Sequence, residues 1–481
     1  MLPNGIDNGG FGMISQDEYE VLRKALDSGY DVGGTSQTGG GAWRLESLED
    51  SLTSLTHAER HIVFYNDIPK GPATSTAIEY ARRTDLGDES GGFYSSGELP
   101  ISHDATYDRK VALVKFLGDV REVKMPFLLT STLVDQRTEM TRTGTMWLLR
   151  LAEKSLFRGN AKLGLAGAEF EEYDGLETFI ERDASASNTM NKWGDPLDED
   201  DFRNAGQRVV DAYGIATHVY VPSQILEDYN MAYLKTQTLP LTQTPGGNMT
   251  AGFSIDKLKT VAGEYQFRPT FLYGGMTREI PKTTVPSNAP SPALASVVGA
   301  LTGAPATATW YQALKMVSAA SAGTVTYKVS VANRYGESAV ATSAGVAVAY
   351  AARDQNITVT LTNPAAYVNA PTHACIYRND TYADGTSSGY YLVKRISLTS
   401  VAGAGTLAWA DTGSDMPGTY RAFQGQLSPD VLKLKQLLPF TRIPLPPLSL
   451  SERFALVMFH VPIMKIPDRW VMIKNIGRRT L

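Results

Sequence analysis

The stretch from Val111 to Ile180 constrains this chain more than any other part of it. Met140, Gly144, Trp147, Leu148, Leu151, Ala152 and Ser155 recur at three- and four-residue steps, which puts them on one face of a helix. Arg137, Glu139, Arg142, Arg150, Glu153 and Lys154 take the other face. With Thr132 or Asp135 as cap and Gly159-Asn160 as a left-handed stop, the spacing predicts one helix from about Asp135 to Arg158. Such a helix would be roughly 35 Å long, about the width of a small domain. Beyond it, Tyr173-Asp174-Gly175-Leu176 opens a strand-like Glu177-Thr178-Phe179-Ile180.

Upstream of the helix, Val111 to Phe116 and Val120 to Lys124 alternate, with Gly118-Asp119 between them as a turn. The pattern predicts a two-stranded hairpin. It carries too many charges to be buried within one subunit, and an isolated hairpin is marginal in water. A neighbouring subunit is the economical place for it, where its charges meet complementary ones at a wet interface. Lys110, Lys115, Arg121, Glu122 and Lys124 are the candidate intersubunit contacts.

Further on, Asp200-Asp201-Phe202 to Val210 reads as a helix. Ala216-Thr217-His218-Val219-Tyr220-Val221-Pro222 reads as a buried strand, and Ser223-Gln224-Ile225-Leu226 as a helix start. In this order, the charged extended loop, the long helix ending at Phe157-Arg158-Gly159-Asn160, the Tyr173-Asp174-Gly175-Leu176 segment and the strand–helix pair resemble a tailed-phage major capsid protein of the Hong Kong 97 fold. The resemblance covers roughly residues 70–280 and 425–481. It implies an α+β fold with an N-terminal arm, an extended E-loop, a P domain built on the long spine helix, and an axial A domain. It also implies a non-enzymatic subunit that assembles with copies of itself into hexamers and pentamers. These would form the icosahedral head shell around double-stranded DNA, made in the host bacterial cytoplasm. A portal protein, and in some relatives a decoration or cement protein, go with that role. Many relatives lose an N-terminal scaffolding segment by proteolysis. A chain used from Met1 onward would instead need a separate scaffolding protein.

Composition agrees. The 481 residues hold enough material for two to four domains, with 43% hydrophobic and 20% charged residues. No run of eighteen apolar residues exists, so no membrane span is expected. A formal net charge of −5 does not suit a free nucleic-acid binder, whereas a shell around DNA need not attract it. The single cysteine, Cys375, excludes an intrachain disulfide, and its setting in Thr372 to Tyr377 reads as a strand.

The chain is interrupted twice. Near the start, an amphipathic helix over about Ser15 to Leu26, the run Gly33 to Gly41, and a second helix carrying Leu45, Leu48, Leu52 and Leu55 read as an arm whose pieces dock separately. Pro281, Pro286, Pro290 and Pro292 mark a connector. From Pro305 to about Gly413 charges thin out and short strands follow one another: Thr324 to Val331, Ile357 to Leu361, Ala374 to Arg378, Tyr391 to Val393, and Leu407 to Gly413. Regular short strands with turns between them predict a β-sandwich. The phrases Tyr327-Lys328-Val329-Ser330-Val331-Ala332-Asn333-Arg334-Tyr335-Gly336-Glu337-Ser338 and Ile376-Tyr377-Arg378 resemble an immunoglobulin-like or fibronectin type III module. Because Asp430 to Leu434 and Phe454 to Met458 return to the style of the first body, the module is an insertion with its own core, which a surface loop accommodates at little entropic cost; the capsid resemblance implies that it is displayed on the outer surface. The expected division is 1–75 N-terminal arm, 76–130 E-loop region, 131–200 P domain, 201–285 A domain, 286–425 linkers and sandwich, and 426–481 return to the capsid core.

No motif carries catalysis, a cofactor or a metal. His57-Ala58-Glu59-Arg60-His61 lacks the glutamate that H-E-x-x-H zinc binding needs after the first histidine. Asp198 to Asp201 precede a helix and suit its dipole. Gly385-Thr386-Ser387-Ser388-Gly389 matches G-x-S-x-G but falls between sandwich strands, where a turn belongs. The competing reading is a phage tail or surface-associated protein that binds carbohydrate through the sandwich. The hairpin-then-helix order, and an N-terminus without a basic or apolar signal segment, weigh against it.

Overall fold

The long run of helical spacing is a single helix in the computed structural model, which describes residues 5–8, 11–15, 59–87, 93–97, 99, 102–125, 135–236, 257–260, 262–276, 285–302, 308–399, 405–447 and 450–479. A short turn of helix, α1 (Phe64–Asp67), precedes the long helix α2 (Gln136–Arg158). The buried side of α2 is Gly144, Leu148, Ala152, Glu153, Leu156 and Phe157, so the face is rotated from the expected one. Trp147 and Leu151 stay 44% and 39% exposed, and Glu153, expected on the polar face, is 1% exposed.

Glu153 is buried because it has a task there. Its carboxylate accepts the backbone N–H groups of Val63 at 3.2 Å, Phe64 at 2.9 Å and Tyr65 at 2.7 Å. These are the donors that the start of α1 leaves without intrahelical acceptors. Burial raises the pKa of Glu153, and the three N–H groups pull it back. Phe64 then packs at a tilt against Phe157, centroids 4.8 Å apart, and meets Tyr220 edge-on at 4.9 Å.

Helix α2 ends at Arg158 without the left-handed cap. Gly159 has no positive φ, and a Cβ there would overlap the carbonyl oxygen of Tyr173. It is a glycine so that the Gly175 N–H can reach its carbonyl at 2.9 Å. The segment expected as a strand at Glu177 to Ile180 is helix α3 (Leu176–Asp183). Its apolar residues Leu176, Phe179 and Ile180 stand at helical steps and are all buried, and four residues are too few for alternation to decide the matter.

Against α2 lies a four-stranded sheet in the order β3 (Lys70–Pro72), β21 (Leu432–Leu445), β22 (Ser451–Met464) and β6 (Lys115–Lys124). Leu148, Leu156 and Phe157 of the helix share one core with Val123, Phe454, Leu456 and Met458 of the sheet. Pro439 and Pro444 fall where β21 has no partner on its β3 side among the described residues, an edge position that tolerates a missing N–H. A separate antiparallel pair, β4 (Ala77–Asp85) and β5 (Thr106–Leu113), projects as an arm.

The second sheet of the body runs β7 (Thr189–Asn191), β23 (Trp470–Ile476), β20 (Tyr420–Gly425), β8 (His218–Pro222), β10 (Gly263–Thr270) and β9 (Lys257–Thr260). Helices α4 (Glu199–Asp211) and α5 (Ser223–Thr236) accompany it, both as expected. Phe202, Val209, Val219, Ile225, Tyr265 and Ile473 form their common core. Because β8 pairs with β20, strands from before and after the sandwich complete one sheet.

The sandwich consists of two antiparallel sheets. One is β11 (Ser296–Leu301), β16 (Ile357–Thr362) and β19 (Thr406–Asp411). The other is β12 (Ala322–Asn333), β13 (Gly336–Glu337), β17 (His373–Thr381) and β18 (Tyr391–Ser397), with β14 (Ala341–Thr342) and β15 (Val346–Ala349) also paired to β12. It begins at β11, ahead of the expected Pro305, because the alternation there is carried by small residues inside a Ser/Ala-rich stretch. Arg378, fully buried, joins the two sheets. It donates to Asp380 on its own strand at 2.9 and 3.0 Å and to Asp411 on the facing sheet at 2.8 and 3.0 Å. Burial works against its charge, but the two carboxylates outweigh that and raise its pKa. Cys375 is buried in β17 as expected.

The sandwich is seated on the body rather than tethered to it. Arg158 at the end of α2 donates to the Leu392 carbonyl at 3.1 Å, and Arg395 donates back to the Arg158 carbonyl at 2.5 Å. Arg395 also pairs with Glu172 at 2.9 Å, and Lys394 with Glu181 at 3.1 Å. Leu165 and Trp193 of the body pack into the sandwich core. At the N-terminus, β1 (Gly5–Asn8) and β2 (Phe11–Ser15) form an antiparallel pair of their own. The helices expected from Ser15 to Leu26 and over Leu45 to Leu55 lie outside the described residues, apart from Ser15, which ends β2.

Replacing Glu153 by alanine strands three buried donors at ~1–3 kcal/mol each before relaxation. We expect Glu153→Ala to lower subunit stability by about 3 kcal/mol, with Glu153→Gln costing clearly less, as read by denaturant unfolding. A second expectation concerns His460, which is buried with its Nε2 3.2 Å from the Tyr173 hydroxyl. Burial, aided by Lys70, pushes its pKa down to about 4. The unfolded chain therefore takes up the proton first, so this contribution to stability is complete above about pH 6.5 and falls as pH drops toward 4. The stability difference between the parent and His460→Gln should shrink by up to about 3 kcal/mol across that window, measured by unfolding at each pH.

Candidate subunit interface

The extended arm is built differently from the hairpin that alternation suggested. Gly118-Asp119 is not a turn: both lie inside β6, paired with Val457 and Leu456 of β22. The break falls at Val114, whose side chain is buried and whose N–H donates to the Thr76 carbonyl at 2.8 Å. Before that break β5 pairs back onto β4, with Ala77 opposite Leu113 and Arg83 opposite Tyr107. A one-residue interruption between two alternating strands leaves the alternation intact, so the sequence pattern merges them.

This redistributes the five candidate contact residues. Lys110 is on the arm, 3.7 Å from Asp108. Lys115 points inward, donating to the Phe170 carbonyl at 2.6 Å and to Glu169 at 3.0 Å. Arg121 pairs with Asp119 at 2.5 Å and lies against α2 at Gly144. Glu122 is 3.8 Å from Arg453, and Lys124 is exposed. The structure thus keeps Lys110 on the arm and places the other four on a sheet of the subunit's own body.

At its base Ile78 and Ala112 pack on the core beneath α2 and the Tyr80 hydroxyl donates to the Met464 carbonyl at 3.4 Å; beyond that the arm has no core of its own. Leu86, Phe93, Tyr94, Leu99, Tyr107 and Val111 are all exposed, Phe93 and Leu99 almost fully. Arg82 pairs with Asp108 at 3.0 Å and Arg109 with Glu79 across the two strands. Exposed ion pairs are worth ~0–1 kcal/mol each and do not by themselves hold an isolated ribbon in water. The apolar residues between β4 and β5 escape periodicity, because Leu86, the pair Phe93-Tyr94 and Leu99 are separated by Gly, Ser and acidic residues with no repeating step. The only signal was the presence of aromatic residues in a segment otherwise made of turn formers.

Trp147 and Leu151 on α2, together with Arg150 and Lys154, form a second uncovered surface. It leads into a cleft of about 1050 Å³ where α2 meets the sandwich. Sequence reasoning had assigned Trp147 and Leu151 to the core face, because it lacked the register that buries Glu153.

The remaining motifs resolve as local structure. Asp201 accepts the Asp198 backbone N–H at 2.9 Å and pairs with Lys192 at 2.9 Å, so these acids serve the start of α4. Ser387 and Ser388 donate to Asn379 at 2.8 and 3.2 Å within the turn between β17 and β18. His61 lies tilted against Phe271, ring centroids 5.0 Å apart, while His57 lies outside the described residues. Among the described residues no group of three or more His, Cys, Asp or Glu could hold a metal ion, and no helix is long and apolar enough to cross a membrane.

Comparison with known proteins points one way. The family described as SU10 major capsid protein matches residues 145–273, the stretch holding most of α2 together with α3, α4, β8, α5 and β10. The major capsid protein of Staphylococcus phage S25-3 is 27% identical over 95% of this chain and 95% of its own length. That of Staphylococcus phage K is likewise 27% identical over 95% of each chain. Among solved structures, the capsid of a native GTA particle aligns with 92% of this chain and 99% of its own at 9% identity and a TM-score of 0.44. The chain is similar to phage major capsid proteins over nearly its whole length.

The placement of Arg121 and Gly144 separates folding from assembly. A Cβ on Gly144 would overlap Leu456 and crowd Arg121, so Gly144→Val should cost about 1–3 kcal/mol of subunit stability. Arg121→Glu should also destabilise the folded subunit, whereas Lys110→Glu and Lys124→Glu, at exposed positions, should leave its unfolding midpoint within about 0.5 kcal/mol of the parent. Thermal unfolding of the four purified variants checks this.

Proposed function

We propose that this chain, a major capsid protein of a phage head shell, builds that shell by assembling with itself into hexamers and pentamers around the double-stranded DNA genome. The observation that carries the proposal is the arm of β4 and β5. Beyond the base formed by Ile78, Tyr80 and Ala112, its exposed apolar residues and weak ion pairs have no core within the subunit, and a ribbon of that kind is stable when it lies on another copy. The near full-length similarity to head proteins supports it.

In this reading α2 is the spine of the P domain, and the sheet of β7, β23, β20, β8, β10 and β9 belongs to the A domain. The E-loop is the arm at 77–113. The sandwich is an immunoglobulin-like module facing outward. Assembly without cleavage would call for a separate scaffolding protein, with a portal protein at one vertex and room for a decoration protein outside. The net charge of −5 suits a shell that encloses DNA without binding a particular sequence. The role is structural, and no catalytic step is assigned to it.

Replacing residues 82–108 by a short Gly/Ser bridge tests the reading. Because this removes only the part of the arm beyond Ile78, Tyr80 and Ala112, which rest on the body, the shortened subunit should keep its circular dichroism and unfold cooperatively, yet form no closed shells. Sedimentation and electron microscopy of particles made with and without the arm decide the matter. Normal shells from the armless chain would overturn the role given to the arm.

A further inference from the structure

The inserted sandwich leaves one of its sheet edges open. We propose that strand β19 pairs antiparallel with β19 of a second copy, so that two sandwiches on neighbouring subunits share one continuous sheet across a two-fold axis. The proposal rests on the shell reading above and adds to it a contact made by the sandwich itself.

The open edge is defined by its hydrogen bonds. Strand β19 pairs with β16 in an unbroken register, from Ile357 opposite Asp411 to Thr362 opposite Thr406. Asn363 donates to the Gly405 carbonyl at 3.1 Å, so the odd-numbered residues of β19 bond to β16. The backbone groups of Thr406, Ala408 and Ala410 therefore point to the other side. The next even-numbered residue shows the same direction: the Thr412 carbonyl accepts the Thr309 N–H at 2.8 Å. Thr309 closes the edge there, whereas at Thr406, Ala408 and Ala410 no strand among the described residues does so. In the facing sheet the corresponding edge is taken by the body. Arg158 reaches the Leu392 carbonyl of β18, and the Ala166 N–H reaches the Leu398 carbonyl just past it.

Native edge strands are usually blunted by a lysine, a proline or a bulge, because an open row of N–H and C=O groups recruits other chains. From Thr406 to Ala410 β19 has none of these. The outer face beside the edge is equally bare: Val298, Ala300, Thr358, Thr360, Ala408 and Ala410 are small or β-branched and uncharged. Depletion of charge at the centre of a patch is the compositional mark of an interface.

Symmetry and size identify the occupant. Pairing β19 with itself about Ala408 sets Ala408 opposite its own copy and Thr406 opposite Ala410. All three open residues are then satisfied, and no like charges meet. A contact one strand long buries far less than the ~1,200 Å² at which stable specific interfaces begin, so it would not capture a partner from solution. Copies of this chain in a shell are already held side by side, at effective concentrations of order mM, and for them so small a contact suffices.

The test places one cysteine on the edge, Ala408→Cys, in a Cys375→Ala background. An antiparallel pair centred on Ala408 brings the two Cα atoms about 5.5 Å apart, within disulfide reach. Thr406→Cys in the same background is the register control, because its own copy would lie four residues along the strand, roughly 14 Å away. Particles are assembled under reducing conditions, oxidised with diamide and run on a non-reducing denaturing gel. We expect at least half of the Ala408→Cys chains to migrate as dimers with no larger species, and at least fivefold less dimer from Thr406→Cys. Particles that give no dimer, or equal dimer from both variants, would overturn the pairing while leaving the shell reading intact. A second measure needs no cysteine. Ala408→Lys sets two like charges opposite each other, so it should speed the dissociation of particles in urea at least threefold without moving the unfolding midpoint of the free subunit. Unchanged dissociation also counts against the pairing, whereas an unaltered chain that forms no particles at all would sink the shell reading beneath it.

Discussion

One buried carboxylate organises the body of this protein. Glu153 stands on the covered side of α2 and gathers the N–H groups of Val63, Phe64 and Tyr65, which fixes the incoming chain to the long helix. With that segment held, Phe64 fills the space between Phe157 and Tyr220, and so the core of the α2 sheet meets the sheet that contains β8. A charge so deeply buried persists only where its acceptor capacity is used, and here three backbone donors use it. The rotation of α2 follows from the same contact: once Glu153 faces inward, Trp147 and Leu151 must face outward.

That rotation links folding to assembly. A helix register chosen by an intrachain hydrogen-bond set leaves an aromatic and basic stripe uncovered, while the arm carries exposed apolar residues at the far end of a ribbon whose outer part has no core. On the shell reading proposed above, such surfaces are where copies of the chain would meet. Only the base of the arm, Ile78 and Ala112, packs on the core beneath α2; its exposed outer part and the stripe of Trp147 and Leu151 lie outside both that core and the one beneath β8.

The sandwich occupies a middle position. It has a core of its own, crossed by the buried Arg378 with Asp380 and Asp411, yet it also takes in Leu165 and Trp193 and exchanges hydrogen bonds with the end of α2. An insertion attached at two chain ends alone would be free to swing. One that also shares apolar side chains and paired charges with its host is held in a fixed attitude to it.

What the amino-acid order determined by itself was the set of elements with strong local periodicity: the extent of α2, helices α4 and α5, strand β8, and strands β12, β16, β17, β18 and β19 of the sandwich. Each buries a face whose spacing is written locally. The resemblance to phage major capsid proteins was legible in the order of those elements. Tertiary structure decided the rest. The side of α2 that is buried depends on Glu153 finding donors some 90 residues away. The identity of the arm depends on β5 pairing with β4 while β6 pairs with β22, more than 300 residues distant in sequence. Strand alternation tells which face of a strand is apolar but carries no information on which partner it meets, and a buried carboxylate looks like a surface one until its donors are in place.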